Sequence, residues 1–434
     1  MSQPARSPFV ESQLGAALPA AGPEWLQESR REHLQRFAAN GLPDARSELW
    51  KYTALRALNQ RRFAVGDESA ATRAIDLDAL RLPALDGPRL VFVDGVFRAD
   101  LSRLDALPDG LALQPLSVAL EDPSAPLPPA LAHAYSGQGD GFAQLNAALA
   151  RDGAVLRLRA GVRVVEPVHL LFIGAPADAE LAWHVRNAIE LGEGAELTLF
   201  EQHASAGANA NLGTVFSEVA LRAGARLHGV TLQDVATGST LIRRVQLNLE
   251  ARARASLHAL ELGGALARHD LCAWLEGDEA HLDTRGVFVA RGRQHLDTQL
   301  AIHHGALRTR SSSSWRGVAD GRGHGVFGGA IVVAPGADGA DAALDNKNLL
   351  LSAAAEIDTK PVLEIYADEV QAAHGATVGQ LDERALFYLR SRGIPQAEAR
   401  TLLTAAFCRA VLSDLPNAVL REHLTALLAI ELPS

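Results

Sequence analysis

The residue in this sequence whose surroundings best suit chemistry is His374, in the segment Leu363 to Ile394 (LEIYADEVQAAHGATVGQLDERALFYLRSRGI). Leu363, Ile365 and Ala367 alternate with Glu364, Tyr366 and Asp368, the period of two that marks a half-buried strand. Gly375 and Gly379 then interrupt the pattern, and Asp382 stands where a helix N-cap belongs. The spacing predicts that the extended run ends by His374, which sets its imidazole on a glycine-flanked turn with little backbone bulk around it. An imidazole so placed suits a metal ligand or a proton-transfer group. Taken alone, a surface or hydrogen-bonded structural histidine is the simpler reading, so the other motifs must decide.

Other chemistry finds less support. A phosphate-binding loop needs Gly-Lys so that the ammonium reaches the terminal phosphates, but the three lysines, Lys51, Lys347 and Lys360, follow Trp50, Asn346 and Thr359. Gly323-His-Gly325-Val-Phe-Gly328 fits G-x-G-x-x-G, yet Ala330-Ile-Val-Val-Ala-Pro335 follows where a dinucleotide fold would open a helix. His295, His303 and His304 suggest a metal site at first sight. Adjacent histidines of a strand point to opposite faces, however, and surface or structural roles fit them better. The H-E-x-x-H and G-x-S-x-G motifs are absent, and Ser311 to Ser314 reads as a loop. Cys272, near Trp274, and Cys408, on an apolar helix face, read as buried packing residues.

The elements that must position these residues change character twice along the 434 residues. Pro23 to Leu58 reads as largely helical, with Trp25, Leu26, Leu34, Phe37 and Ala38 near a helical period until Gly41-Leu-Pro43. Asp94-Gly95 between the apolar runs of Leu90 to Phe97 predicts a hairpin with a type I′ turn. Pro83 to Pro88 and Pro123 to Pro129 read as loops, and Phe142 to Ala150 as a short helix. From Gly153 to about Gly375 short strand-like runs dominate, among them Val155 to Arg159, Glu196 to Phe200, Val230 to Gln233, Val245 to Leu249 and Ile331 to Val333. Ala195, Ala225 and Ala255 recur at equal spacing, a period that fades after Ala280. Such a period predicts stacked coils that cover one another's apolar faces, with small residues at the corners; the pattern alone leaves an ordinary β-sandwich open. After Gly379, Leu386, Leu389, Leu402, Leu403, Ala406, Phe407, Ala410, Val411, Val419, Leu420, Leu424, Leu427 and Leu428 mark three helices separated by Gly393-Ile-Pro395 and Asp414-Leu-Pro416.

Composition narrows the function classes. With 41 basic against 51 acidic residues and a formal net charge of −10, the chain lacks the basic footprint of nucleic-acid or anionic-membrane binding. Two cysteines make no disulfide framework, and Pro19, Gly22 and Pro23 interrupt what a signal peptide would need. No apolar run reaches the length of a membrane span, so the expectation is a soluble, cytoplasmic protein.

Several segments, in the same order, are similar to the SufB/SufD family of iron–sulfur cluster assembly proteins. Pro43, Arg46, Glu48, Trp50, Lys51, Tyr52, Thr53 and Leu55 resemble its P-x-x-R-x-E-x-W-K-Y-T-x-L signature; Arg186 to Leu199, Asp345 to Ser352 (DNKNLLLS) and Leu363 to Ile394 are similar too. Having only Cys272 and Cys408, with no N-terminal cysteine cluster, points to the SufD branch rather than SufB. The resemblance implies a mostly β fold: a right-handed parallel β-helix core (152–376) flanked by an N-terminal helical and mixed sub-domain (1–151) and a C-terminal helical bundle (377–434). It implies a non-catalytic scaffold that binds no nucleotide itself. The resemblance further implies that this scaffold pairs its β-helix with a SufB-like paralogue, docks a SufC-like ATPase on its C-terminal helices, and shares a transient iron–sulfur cluster with SufB. A homodimer of the isolated chain is compatible with this, and no motif implies or excludes a flavin. His374 then becomes a candidate cluster ligand beside a SufB cysteine, since iron accepts imidazole and thiolate together. Two positions depart from the family: Ala372 stands where many members have cysteine, and Ala337-Asp-Gly-Ala-Asp341 where A-Q-K-T-D is usual. The readings from other classes are a β-helix carbohydrate-active enzyme, for which no repeated carboxylates at matching coil positions are visible, and a purely structural homodimer.

Overall fold

The computed structural model describes residues 6–44, 46–66, 70, 72–121 and 140–433; the expected loop at Pro123 to Pro129 lies outside them. Helices α1 (Pro8–Leu14) and α2 (Glu24–Asn40) open the chain. Helix α2 buries Leu26, Arg30, His33 and Phe37 and ends at Gly41, whose φ of 65° no β-carbon tolerates well. Trp25, read as part of the apolar stripe, is 41% exposed. Beyond α2 the expected helix gives way to a 3₁₀ turn at Glu48–Trp50 and the single turn α3 (Arg56–Asn59). The hairpin forms as expected: β2 (Arg89–Val93) pairs antiparallel with β3 (Val96–Phe97), and Asp94 and Gly95 have φ of 45° and 80°, the left-handed pair of a type I′ turn. β1 (Ala64–Val65), β4 (Leu111–Pro115), α4 (Leu116–Ala119) and α5 (Gly141–Leu149) complete this region.

From Ala154 the chain winds into a parallel β-solenoid of two ten-stranded sheets, adding one strand to each sheet per coil. The first sheet carries β5 (Ala154–Leu158), β7 (Leu181–Leu191), β9 (Leu212–Leu221), β11 (Thr240–Leu249), β13 (Leu266–Leu275), β15 (His295–His304), β17 (His324–Val333) and β19 (Glu356–Ile365). The second carries β6 (Val168–Gly174), β8 (Glu196–Ser205), β10 (Arg226–Asp234), β12 (Arg254–Glu261), β14 (His281–Ala290), β16 (Arg310–Ala319), β18 (Asp341–Leu350) and β20 (Gln371–Gly379). Strands β1 to β4 join the same two sheets at their early end. Alternate residues of each strand, such as Leu197, Leu227, Leu241, Leu271, Leu300, Phe327 and Leu344, meet in one core inside the coils.

The corners explain the repeat. Just ahead of β8, β10, β12, β14, β16 and β18 stand Gly194, Gly224, Arg252, Glu279, Arg308 and Gly339, all with φ between 52° and 73°. A small residue follows each: Ala195, Ala225, Ala253, Ala280, Thr309 and Ala340, all buried. Backbone hydrogen bonds link corner to corner, from Gly194 N–H to Ala223 O, Gly224 N–H to Ala251 O and Arg252 N–H to Asp278 O. Arg226 is in register with Glu196 on one side and with Arg254 on the other, so the coil from Arg226 to Arg254 is shorter than the one before it. The true corner equivalent of Ala225 is therefore Ala253; Ala255 lies in register with Leu227. The coils differ in length, the one between Thr240 and Leu266 being short and that between His324 and Glu356 long, which is why a fixed period fades while the coils continue to Gly379.

Three helices follow: α6 (Glu383–Ser391), capped by the Asp382 carboxylate accepting from Arg384 N–H, α7 (Gln396–Leu412) and α8 (Ala418–Glu431). The last two lie against the outer face of the second sheet, where Ala405, Cys408, Leu412, Leu420, Leu424 and Leu428 pack on Phe200, Val230, Leu232, Leu260, Val287, Val289 and Val318, while α6 packs against α7. Among the described residues no helix is long and apolar enough to cross a membrane.

Candidate functional site

Among the described residues the last coil has no successor. β19 and β20 are the terminal strands of their sheets, each bonded along one edge only. The expected turn at His374 is not there: the whole run Gln371–Gly379 pairs in parallel with β18, carrying His374 and Gly375 inside a strand. The neighbouring coil supplies the backbone ladder for this run, and Gly375 lies in open space, where a β-carbon would meet only the Asp345 carboxylate at 3.8 Å. Partners in parallel register share a face. His374 is in register with Leu344, which packs in the core inside the coils, so the imidazole belongs to the inner face of the open coil. It is exposed because no further coil covers it. Beside it on the same face stand Ala372, Ala376 and Val378, and across the mouth Pro361, Leu363 and Ile365 of β19. Ile365 and Val378 are 42% and 43% exposed. The mouth is largely apolar, with Thr359 of β19, bonded to Asn346, and one imidazole on its inner face.

Along the outer face of the first sheet lies the segment of the N-terminal signature. Trp50 Nε1 donates to Asp140 at 3.0 Å, the Arg268 guanidinium sits 4.0 Å from the Trp50 ring, Glu48 pairs with Lys360, and Thr53 bonds His295 and Asp297. These anchors roof a cavity of about 430 Å³ whose floor includes Asp270, Cys272, Gln299 and Gly328. Cys272 is thus half-buried on an outward face, not a core residue, because the even positions of β13 point out while Leu271 and Ala273 point in; burial still pushes its thiol up. Cys408 is fully buried as expected, its thiol pushed up to about 12 by burial.

Inside the coils runs a polar chain that the sequence reading missed. Arg243 Nε donates to Glu201 at 2.7 Å, Glu201 meets His203 Nε2 at 2.7 Å, and His269 lies between Arg243 and Glu261, which accepts from Thr298 at 2.8 Å. Burial alone would raise the Glu201 carboxyl, but Arg243 and His203 outweigh it and hold it below the usual carboxylate range. The group joins both sheets across the core and satisfies its own charges, which suits a register-fixing role. Ser311 to Ser314 belong to strand β16, not to a loop, and Ser311 is buried with its hydroxyl 2.8 Å from His304 Nε2. His303 stacks on Trp274 at 3.9 Å, and the G-x-G-x-x-G run is strand β17 rather than a nucleotide loop.

Comparison with known proteins joins these regions. The model of the "SUF system FeS cluster assembly, SufBD core domain" family matches residues 172–407, including the open coil, and that of the "SufBD protein N-terminal region" matches residues 13–170, including the cavity roof. The chain belongs to the SufB/SufD family of the SUF iron–sulfur cluster assembly system. It is 32% identical over 407 residues to the iron–sulfur cluster assembly protein SufD of Escherichia coli K12, covering 93% of this chain and 92% of that one. A SufBD family protein of Synechocystis is 29% identical over 397 residues (88% and 86%), and the SufD protein of Bacillus subtilis 28% over 288 (65% of each). For this SufB/SufD family chain the solenoid and its flanking helices agree with what the resemblance implied.

Proposed function

We propose that this chain is a non-catalytic scaffold subunit that pairs its open last coil with the β-helix of a SufB-like paralogue and holds an assembling iron–sulfur cluster at the join, with His374 as its ligand. The observation that carries this reading is the uncovered mouth. Solenoid ends need a cap for solubility, and this one instead offers two free strand edges and the apolar side chains of Leu363, Ile365 and Val378 around a single imidazole. A second β-helix supplies both the missing backbone partners and the apolar cover, and its thiolates supply the sulfur ligands that Ala372, Cys272 and Cys408 do not.

The C-terminal helices support docking of a SufC-like ATPase. Helix α7 turns Ala405, Cys408 and Leu412 to the sheet but leaves Leu402, Ala406 and Ala410 exposed, and α6 exposes Phe387 (72%) and Tyr388 (57%). ATP-driven closure of paired ATPases, pulling on these helices, would open the join around His374. The cluster is cargo, passed on to apoproteins, and the isolated chain hydrolyses no ATP.

The test is His374→Ala in the complex with its SufB-like and SufC-like partners. Melting temperature and assembly stay near wild type, while iron and sulfide per complex fall several-fold, because an exposed strand residue contributes little packing but a lost ligand weakens metal binding directly. His374→Cys restores part of the cluster. Lost stability with normal cluster yield per folded complex would make His374 a structural residue, and ATP hydrolysis by the homogeneous isolated chain would end the scaffold reading.

A further inference from the structure

The outer face of the first sheet carries a ladder of polar residues. His295 of β15, His324 of β17 and Glu356 of β19 occupy one rung, being in register on three successive strands, and Asp297, Val326 and Asp358 occupy the next. Neighbouring strands lie about 4.8 Å apart, so the heads of one rung converge on a volume the size of a coordinated ion. Here they do. The ligand atoms of His324, Glu356 and Asp358 all lie within 4.8 Å of one another, with His324 Nε2 2.8 Å from Asp358 Oδ2, and the His295 ring stands edge-on to that of His324 with centroids 4.5 Å apart.

Charge sets this place apart from the rest of the ladder. Asp270 is bridged by Arg244 and Arg268, and Asp297 by Arg268, so each earlier carboxylate has a guanidinium. Glu356 and Asp358, alternate residues on one face of β19, pair with no arginine or lysine among the described residues; the nearby Lys360 is taken by Glu48. What faces them is imidazole. Thr53, from the signature segment, holds His295 through Nε2 at 2.9 Å and is itself bonded to Asp297, the kind of outer support that fixes a metal-binding ring. Gly323 and Gly325, which flank His324, are explained by crowding, since a β-carbon would stand 2.3 Å from Ala290 O at the first and 2.5 Å from the Phe288 ring at the second.

We infer that His324, Glu356 and Asp358, with His295 alongside, form a binding site for one borderline divalent transition-metal ion on the flank of the solenoid, separate from His374. One imidazole and two carboxylates, with the second imidazole of His295 beside them, are a donor set for zinc, iron(II) or cobalt(II) rather than for magnesium or calcium, which prefer all-oxygen shells. His374 lies on the inner face of the other sheet, so the inference stands whether or not the cluster reading does.

The experiment uses the full chain, stripped with a chelator and titrated with zinc by calorimetry and with cobalt(II) by visible absorption. One ion binds per chain, with magnesium a poor competitor. His324→Ala and Glu356→Gln each weaken binding by about tenfold or more, Glu356→Gln without changing the melting curve of the metal-free protein, and His374→Ala leaves it intact. Failure of the wild-type chain to bind either ion at micromolar concentration, or one-ion binding that survives both flank substitutions, overturns the site. Loss of binding in His374→Ala alone would also overturn it and place the metal at the open coil instead.

Discussion

Burial holds several imidazoles neutral. His169, His184 and His295 are pushed down to about 3, and His258 and His304 to about 4, from an unfolded value of 6.5. Between those values and 6.5 the unfolded chain binds protons that the folded chain refuses, so stability is fully present above pH 6.5 and is lost as pH falls from there. Glu218 works the other way: burial raises it to about 7, so its contribution is present below about pH 4.5 and is lost as pH rises toward 7. Burial raises Asp94, Asp152, Asp234 and Asp297 as well, but it lowers His203, His228, His281, His303 and His423 besides the five above, so imidazoles outnumber raised carboxyls, which predicts a net acid-sensitive fold with the denaturant midpoint falling from pH 7 to pH 5. His184, whose Nδ1 lies 2.8 Å from Thr214 Oγ1, offers the cleanest test. His184→Gln lowers stability at pH 7 but reduces the slope near pH 5 by roughly 1.4 kcal/mol per pH unit. At this scale the sequence showed His374 through its segment, but gave its backbone the wrong form. It missed His324, Glu356 and Asp358 because their proximity is made by register across a whole coil, and nothing local in the chain records register.

The elements were legible where local chemistry decides them and blurred where stacking does. Asp94-Gly95, the Asp382 cap and the three C-terminal helices follow from turn and cap preferences alone. Gln371–Gly379 and Ser311–Ser314 are strands because a neighbouring coil supplies a backbone ladder, which overrides their glycine and serine content. In α7 the apolar residues lie on both faces, and only the sheet beneath shows that Ala405, Cys408 and Leu412 are the buried set. The corners yield a direct prediction. Gly224 has φ of 69° and nothing nearer than 3.9 Å to where a β-carbon would go, so Gly224→Ala destabilises by about 1 kcal/mol through backbone conformation alone. Arg252 already occupies the same corner at φ 57° and is exposed, so Arg252→Gly relieves that strain and, after the entropy lost by glycine, leaves stability unchanged or slightly raised. Equal losses for both in urea unfolding would show that the corners are set by side-chain contacts instead.

For the whole molecule, the C-terminal helices are cover for the second sheet as well as the proposed docking surface. Removing residues 381–434 uncovers seven large apolar side chains of the second sheet, each worth roughly 2 kcal/mol when buried, a sum comparable to the net stability of a domain. The truncated chain should therefore aggregate, as read by light scattering, rather than persist as a bare solenoid. The double substitution Phe387→Ala and Tyr388→Ala is the gentler probe: the melting curve stays put while retention of a SufC-like ATPase in gel filtration is lost. Retention unchanged would move the docking surface off α6. The open coil has one more implication, which concerns how far assembly can go. At the early end the sheets finish in the antiparallel strands β3 and β4, so the two ends of the solenoid are unlike and the early end offers no parallel strand for another chain's last coil to extend. That mismatch disfavours head-to-tail stacking into a fibre. In the proposed pairing chains meet mouth to mouth, and one such meeting uses up both mouths, so a surface as adhesive as a growing amyloid edge yields a pair and then stops.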